Sequence, residues 1–402
     1  MQRESERWVL DALLKSGGWD VLHPESKPYW ETLGYSHADI ESVFGRIRGG
    51  AMLTKAWAAR GLEVERLARH AEAEGYNLTA RDLYLRAALL YGRAQYSFYR
   101  DDPTKSAYHA RLVRCFERAA GLTRERVRRL RIGDVYAVLH LPDDPAPRPL
   151  PALILIPGMD MIKEEWTRPS LSLFLPRGFA TLAIDGPGQG ESLLHGLKVT
   201  LTNYDDAGRA AYEFLAAQPE IDPNRIALLG VSMGSYWGCR IAAAEPRLAC
   251  AATGLACYGR KHIIFRQAQP NFRANFMYMS GIEDDGEFDR LADAMVLDDV
   301  VPRIRMPLLM AQAEYDELND LRETFDVFDR VSSPKELWVY EDQFHPMGGV
   351  SGEFYGSAAD WVMARLQGRP IPGGGSRQLY VRADGTVRDG DARPIWWTAP
   401  EP

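Results

Sequence analysis

Cysteine is scarce in this sequence, with four residues among 402: Cys115, Cys239, Cys250 and Cys257. None of them stands in the C-x-x-C spacing of redox or zinc motifs, and they form no paired framework. We therefore expect no structural disulfides and a cytoplasmic location. Histidines, cysteines and carboxylates nowhere cluster at the spacing of metal ligands, so no metal site is predicted.

Long apolar runs and a strong positive charge are also missing. No segment approaches the roughly 20 apolar residues that a membrane-spanning helix requires, and the opening MQRESERWVL lacks the apolar stretch of a signal peptide. The net charge is −7, and 46% of the residues are hydrophobic against 26% charged, as in an ordinary globular protein. Nucleic acid and membranes are therefore not expected as partners.

The pattern of the chain changes near residue 126, and this change divides it into regions. Residues 1–125 show helical spacing without a clear strand and predict a helical module, in which Thr79 caps one helix and Pro103 opens another. Residues 126–368 predict the main domain, with residues 261–305 as a cap segment that interrupts its rhythm. Residues 369–402 form a Gly/Pro-rich tail that could hold a hairpin with its turn at residues 384–385.

Short apolar segments alternate with helical ones through the main domain. The segment PALILIPG is almost wholly apolar, which is typical of a strand covered on both faces. Five further strands are predicted after it, in GFATLAIDGPG, RIALLGVS, ACAATGLACYG, PLLMAQAEYD and KELWVYEDQFH. This alternation predicts an α/β protein with a mostly parallel central sheet and helices on both faces.

The central chemical signal is Gly230-Val231-Ser232-Met233-Gly234, a G-x-S-x-G motif between a predicted strand and a predicted helix. Such a turn strains the serine backbone, and the flanking glycines allow neighbouring backbone to approach closely. The helix N-terminus also favours negative charge developing on a bound carbonyl oxygen. The motif in this setting predicts the α/β-hydrolase fold with Ser232 as nucleophile, rather than a turn that is small for packing alone.

A serine hydroxyl needs an adjacent base at neutral pH, and two histidines lie downstream of the motif. The fold places its residues in the order nucleophile, acid, histidine. His345 follows the last predicted strand and fits this order, so it is the predicted base. His262 comes too early and is predicted to lie in the cap, with a substrate contact as the alternative.

The acid that orients the base should end the strand before the histidine strand. Asp316 in AQAEYDEL does so, and its role would be to hold the imidazole in one tautomer. Glu314, Glu317 and Asp320 are its competitors. Asp316 is preferred because the chain must clear the strand before a side chain can turn toward His345.

Two backbone N–H groups should form the oxyanion hole, that of Met233 after the nucleophile and that of Met159 in the loop after PALILIPG. Four charged residues crowd this loop and could contact substrate or cap the next helix: Asp160, Lys163, Glu164 and Glu165. We take Asp160, Glu164 and His262 as candidate substrate-binding residues. The glycine-rich residues 185–190 lack the spacing of a dinucleotide loop, so they predict a structural turn and no cofactor.

These motifs resemble a known group of enzymes. The segments PGMDMIKEEW, IDGPGQGES, GVSMGSYWGCRIAAAEPRLA and FHPM, within roughly residues 20–370, are similar to α/β hydrolases related to 2,6-dihydroxypseudooxynicotine hydrolase. The group includes fungal hydrolases that shorten polyketide pigment precursors and is named for the fermentation-respiration switch protein. The resemblance implies cleavage of a carbon–carbon bond beside a ketone without cofactor or metal, with Ser232, Asp316 and His345 as the triad. It also implies that the N-terminal helices line the substrate cavity and that the protein is a homodimer.

One departure from the group lies in the cap. The resemblance implies that a glutamate in the cap of the nicotine-pathway enzyme contacts substrate. The segment CYGRKHIIF of this chain offers no matching acid. The predicted function is therefore a retro-Claisen hydrolysis of an aromatic or polyketide-like small molecule. The alternatives are an ester or thioester hydrolase or an acyltransferase with the same triad, and a binding protein on an inactive hydrolase scaffold.

Overall fold

The computed structural model describes residues 4–122, 126–143 and 149–398. The region before residue 122 consists mainly of helices: α1 Glu4–Gly17, α2 Trp19–Leu22, α3 Ser26–Thr32, α4 His37–Phe44, α5 Leu53–Ala73, α6 Asn77–Tyr96 and α7 Pro103–Gly121. The Asp102 side chain caps α7, and Pro103 occupies its first turn. Helix α6 begins at Asn77, so the predicted cap at Thr79 was wrong. The reason is the tight turn at Gly75, whose φ of 76° suits glycine and returns the chain to helix early.

One ten-stranded sheet forms the centre of the rest of the chain. In space its strands follow the order β1-β2-β4-β3-β5-β6-β7-β8-β9-β10. The seven strands from β4 to β9 in this order run parallel, and antiparallel pairs close both edges. The strands are β1 Arg126–Ile132, β2 Val135–Leu141, β3 Leu150–Ile156, β4 Ala180–Asp185, β5 Ile221–Val231, β6 Ala251–Gly254, β7 Leu308–Ala313, β8 Lys335–Tyr340, β9 Ser376–Val381 and β10 Val387–Asp389.

Both faces of the sheet are covered, which explains why its central strands are apolar throughout. In β3, Leu153 and Leu155 pack into a core shared with the N-terminal helices, whereas Ile154 and Ile156 belong to the core on the other face. The remaining helices are α8 Thr167–Pro169, α9 Gly190–Leu194, α10 Asn203–Ala216, α11 Met233–Ala244, α12 Pro270–Ser280, α13 Asp285–Ala294, α14 Leu321–Arg330 and α15 Ser351–Leu366. The predicted α/β fold class is confirmed.

The cap segment and the tail flank the main domain differently. Residues 261–305 contain α12 and α13 and no strand. The tail continues the sheet, because β9 pairs in parallel with β8 and turns back as β10. Beyond β10, the Trp396 indole donates to Glu314 with 2.6 Å between Nε1 and Oε1. The tail therefore braces the loop after β7.

Two further properties concern the described ranges of the chain. All four cysteines are buried as free thiols. None of the described helices combines the length and the apolar character needed to cross a bilayer.

Candidate active site

The turn between β5 and α11 holds Ser232 in a strained conformation, with φ 55° and ψ −127°. Its two glycines are required by space. A Cβ added to Gly230 would lie 2.2 Å from the carbonyl oxygen of Gly234, and one added to Gly234 would lie 2.4 Å from that of Ile156. Real Cβ atoms do not approach backbone so closely, so the sharp turn depends on both glycines.

A chain of hydrogen bonds leads from this serine into the protein. Ser232 Oγ lies 2.9 Å from His345 Nε2, and His345 Nδ1 lies 2.9 Å from Asp316 Oδ2. Asp316 also accepts the Leu318 backbone N–H at 2.9 Å. The histidine and the aspartate are buried, while the serine reaches the cavity. The arrangement lets an imidazole accept the serine proton while a carboxylate fixes its tautomer.

Burial and charge act against each other in this chain of groups. Burial lowers the pKa of His345, but the charge and hydrogen bond of Asp316 outweigh it, so the His345 pKa lies above its usual value. Burial also raises the pKa of Asp316, in spite of the opposing effect of His345. A histidine with a raised pKa is a stronger base for a serine proton.

The acids that competed with Asp316 have other partners. Glu314 accepts the Asp342 backbone N–H at 3.0 Å, and Asp320 caps α14. Glu317 accepts the backbone N–H of His345 at 3.0 Å, so it fixes the main chain of the histidine loop. Asp316 alone among these four acids contacts the His345 ring nitrogen Nδ1 in the described chain.

The loop after β3 approaches the serine from the other side. A Cβ on Gly158 would lie 3.1 Å from Ser232 Cβ, so residue 158 is in close contact with Ser232. The Gln189 side chain fixes this loop by donating to the Gly158 carbonyl at 2.5 Å. Met233 begins α11, where backbone N–H groups have no partner within the helix. Across the described ranges, no acceptor is seen for the N–H of Met159 or of Met233.

A buried lysine ties the same loop to β4. The Lys163 ammonium lies 2.8 Å from Asp185, 2.9 Å from Glu164 and 2.8 Å from Glu191. Burial opposes the charge of Glu191, but Lys163 and Arg129 hold the pKa of this carboxyl at about 2. The predicted structural turn at residues 185–190 thus anchors the loop after β3, and Glu164 belongs to this ion cluster.

Asp160 lies on the cavity side of the loop and pairs with a buried arginine of α6. Arg93 donates to Asp160 Oδ2 at 2.7 Å and to Glu165 Oε1 at 3.0 Å. Its guanidinium also lies 5.0 Å from the Trp30 ring. Burial disfavours the charge of Asp160, but Arg93 keeps its pKa below the usual value, so the carboxylate stays ionised.

The serine and its histidine open into a cavity of about 540 Å³. Aromatic side chains dominate its walls, most of them from the N-terminal helices: Trp19, Tyr29, Trp30, Trp57, Tyr96, Phe98, Tyr99 and Phe272. Polar side chains also line it, among them His23, Arg93, Arg100, Asp160 and Asn271. This volume and mixed lining suit a small molecule that carries both aromatic and polar groups.

The N-terminal module also holds the loop that carries His345. Glu25 accepts the backbone N–H groups of Phe344 at 3.2 Å and Gly348 at 3.1 Å. Burial raises the pKa of Glu25, although these two hydrogen bonds lower it. The position of His345 therefore depends on contacts between the module and the main domain.

The structure brings together most of the residues that the sequence singled out. Ser232, His345 and Asp316 form one hydrogen-bonded chain, and Asp160 lines the cavity. Met233 directly follows Ser232, and Met159 directly follows Gly158, which is in close contact with that serine. Glu164 and His262 do not line it, because Glu164 faces Lys163 and His262 lies elsewhere in the cap.

His23 and Arg93 are among the cavity residues that the sequence did not single out. Arg93 left one signal, a lone charge within the apolar run AALLYGRAQY of a helix. His23 left none, since it lies in a short link between two helices.

Comparison with known proteins identifies a family and several relatives of this chain. The sequence model of the family described as Esterase FrsA-like matches residues 35–286. The chain is 30% identical over 268 residues to the 2,6-dihydropseudooxynicotine hydrolase of Paenarthrobacter nicotinovorans, which covers 65% of this chain and 70% of that protein. It is 28% identical over 271 residues to the 20-hydroxy-prefusarin hydrolase FUS2 of Gibberella moniliformis. This alignment covers 62% of this chain and 63% of that protein. The chain thus spans less than two thirds of the fungal relative.

A solved structure extends the likeness to almost the whole fold. The crystal structure of the 2,6-dihydroxy-pseudo-oxynicotine hydrolase superposes with a TM-score of 0.73 at 25% identity, covering 86% of this chain and 97% of that one. The match includes the N-terminal region as well as the sheet, because it extends over more of the chain than the main domain alone.

Proposed function

The chain belongs to the FrsA-like esterase family and is a hydrolase with the α/β-hydrolase fold, and on this premise we propose that Ser232, His345 and Asp316 are its catalytic triad. The observation that carries the proposal is the pair of 2.9 Å contacts that joins these side chains at the wall of an aromatic cavity. Ser232 is then the nucleophile, His345 the base and Asp316 the group that orients it.

The proposed reaction is a retro-Claisen hydrolysis. Ser232 Oγ attacks a ketone carbonyl while its proton passes to His345 Nε2, and the N–H groups of Met159 and Met233 hold the oxyanion. The carbon–carbon bond then breaks, its electron pair leaves with the departing half, and His345 protonates the departing carbon. Water, deprotonated by His345, attacks the acyl group on Ser232, and the released serine regains the proton.

The walls of the cavity support an aromatic or polyketide-like substrate. Rings of this kind stack favourably on tryptophan and tyrosine, which supply much of the lining. Only Oδ2 of Asp160 is bonded to Arg93, so Oδ1 is available to accept a substrate hydroxyl. We propose Asp160 as the acceptor that sets the orientation of a hydroxylated substrate.

The test compares wild type with Ser232→Ala on a 1-aryl-1,3-diketone and on the p-nitrophenyl ester with the same acyl group. We expect wild type to cleave the diketone and the variant to lose kcat by about 10⁴-fold or more on both substrates. Ser172→Ala is the matched control, because this exposed serine bonds only to the Arg168 carbonyl in the described structure. Near wild-type turnover by Ser232→Ala would remove the nucleophile assignment.

The second candidate is an ester or thioester hydrolase or an acyltransferase, favoured by the family's description as esterases. It is distinguished in the same assay by fast ester turnover without diketone cleavage. An added amine or alcohol that captures the acyl group in place of water would identify a transferase. The homodimer and the cytoplasmic location stay predictions, which light scattering and cell fractionation check.

A further inference from the structure

His23 occupies a position in the cavity that neither the sequence motifs nor the proposed triad explains. It lies in the link between α2 and α3 and lines the cavity with Ser232 and His345. The edge of its ring packs against Phe272 of the cap, with 6.0 Å between ring centroids. The N-terminal module thus places a titratable side chain beside the proposed reaction centre.

The His23 ring lies over that of His345 and has a carboxylate of its own. The two imidazoles are stacked, with centroids 5.9 Å apart and planes within 11°. His23 Nδ1 lies 3.5 Å from Glu317 Oε1, and the other oxygen of Glu317 accepts the His345 backbone N–H. The neighbouring acids 316 and 317 therefore each face one imidazole, Asp316 through a hydrogen bond and Glu317 through a looser contact.

Charge and hydrogen bonding leave one nitrogen of His23 available to a ligand. Burial opposes the charge of Glu317, yet His23 and His345 hold its pKa below the usual value, so it remains a carboxylate. His23 Nδ1 lies 3.5 Å from this carboxylate without a hydrogen bond to it, and Nε2 has no hydrogen-bond partner in the described part of the protein. The ring can therefore offer an Nε2–H donor to a ligand in the cavity.

Carbon–carbon cleavage requires such a donor, whereas ester cleavage does not. When the bond of a 1,3-diketone breaks, its electron pair forms an enolate, and the negative charge settles on the second carbonyl oxygen. His345 carries the serine proton to the carbon, so it cannot also bind that oxygen. In an ester, the leaving oxygen is itself the atom that His345 protonates, and no second donor is required.

We propose that His23 is a catalytic residue that binds the second carbonyl oxygen and stabilises the departing enolate through Nε2–H. This inference rests on the proposed serine-hydrolase function and narrows the substrate to ketones with a carbonyl one carbon beyond the scissile bond. The step is balanced: the acyl half stays on Ser232, the enolate carbon takes the proton held by His345, and the product carbonyl then leaves His23.

The experiment measures kcat on a 1-aryl-1,3-diketone and on the aryl ester with the same acyl group. We expect His23→Phe, which keeps a stacked ring without N–H, to lower diketone turnover by about 10²-fold, the usual effect of one lost oxyanion donor. Ester turnover and the rate of fluorophosphonate labelling should stay within about 3-fold of wild type, since neither reaction forms an enolate. His23→Gln, which retains a neutral N–H, should recover part of the diketone activity.

Each other outcome overturns the proposal. Equal losses on diketone and ester would mean that His23 only positions His345, and an unchanged diketone rate would mean that it has no role. His37→Phe in the same module is the matched control, because this histidine is exposed and contacts Glu31 away from the cavity. Wild type that cleaves the ester but no diketone would refute the proposed carbon–carbon function itself, and this is known before any variant is measured.

Discussion

Replacing Arg93 with methionine should lower the stability of the fold, because Arg93 pairs with two carboxylates in the loop after β3. Arg93 is buried and donates to Asp160 at 2.7 Å and to Glu165 at 3.0 Å. Methionine retains the apolar first part of the arginine side chain and has no charge, so Arg93→Met removes the guanidinium and both carboxylates lose their cation. Glu165 is completely enclosed with the Tyr35 hydroxyl, and water cannot replace the guanidinium there.

The expected loss of unfolding free energy follows from the number of buried charges left without a partner. Removing one partner of a buried ion pair costs about 3–5 kcal/mol, because the remaining charge keeps its desolvation penalty. Part of this cost is avoided when a carboxyl takes up a proton instead. We therefore expect Arg93→Met to lower the free energy of unfolding by about 3–5 kcal/mol at neutral pH.

The pH dependence gives the prediction its sign. In wild type the pKa of Asp160 is lowered, so its contribution to stability is present above the unfolded pKa of about 3.9 and is lost as pH falls. In Arg93→Met the pKa of both carboxyls should lie above their unfolded values, so the variant loses stability as pH rises. The difference between the two proteins should therefore be largest near neutral pH and shrink toward pH 4.

Urea unfolding followed by circular dichroism between pH 4 and pH 8 measures this difference. Arg209→Met is the matched control, because Arg209 pairs with Asp206 on the surface and such pairs contribute about 0–1 kcal/mol. A variant within about 1 kcal/mol of wild type at neutral pH, or a difference that is flat with pH, would refute the electrostatic reasoning. Arg93→Met combined with Glu165→Gln should recover part of the loss, since one of the two charges is then gone.

Three further predictions concern the base and the loops around the serine. Since the His345 pKa is raised, kcat/KM should fall with decreasing pH around a pKa above about 6.5, and a profile flat down to pH 5 would contradict the role of this base. Lys163→Met leaves Asp185 without its cation and takes one cation from each of Glu164 and Glu191, so it should lower unfolding free energy by about 3–5 kcal/mol in urea titrations. Gly234→Ala places a Cβ 2.4 Å from the Ile156 carbonyl, so fluorophosphonate labelling should slow by at least about 10-fold, and unchanged labelling would show that the loop yields freely.

The sheet and the residues around the nucleophile were predictable because their signals are local. A strand buried on both faces is apolar throughout, and β3 shows this in its sequence. The elbow glycines, the serine and the acid and base that follow two later strands occur in a fixed order, since parallel strands end at the same edge of the sheet. That rule brought Ser232, Asp316 and His345 together before any distance was known.

The cavity was not predictable, because helix packing depends on contacts between residues far apart in sequence. In the sequence, Arg93 is one charge among many. Its partner Asp160 becomes apparent only when α6 is placed against the loop after β3. The same applies to Glu164, whose carboxylate faces Lys163 rather than the cavity. The Thr79 error has a local origin, since glycine turns move helix starts by a residue or two.

The tail strands carry a consequence for how this protein can be shortened. Without β9, strand β8 would present its unpaired backbone groups at an open edge, which invites pairing between molecules. The Trp396 indole would no longer hold Glu314, two residues before Asp316 of the proposed triad. A deletion that ends near residue 370 would therefore yield an aggregation-prone chain with a loosened acid loop. Shortened versions should keep the sequence through Trp396, and affinity tags belong beyond it.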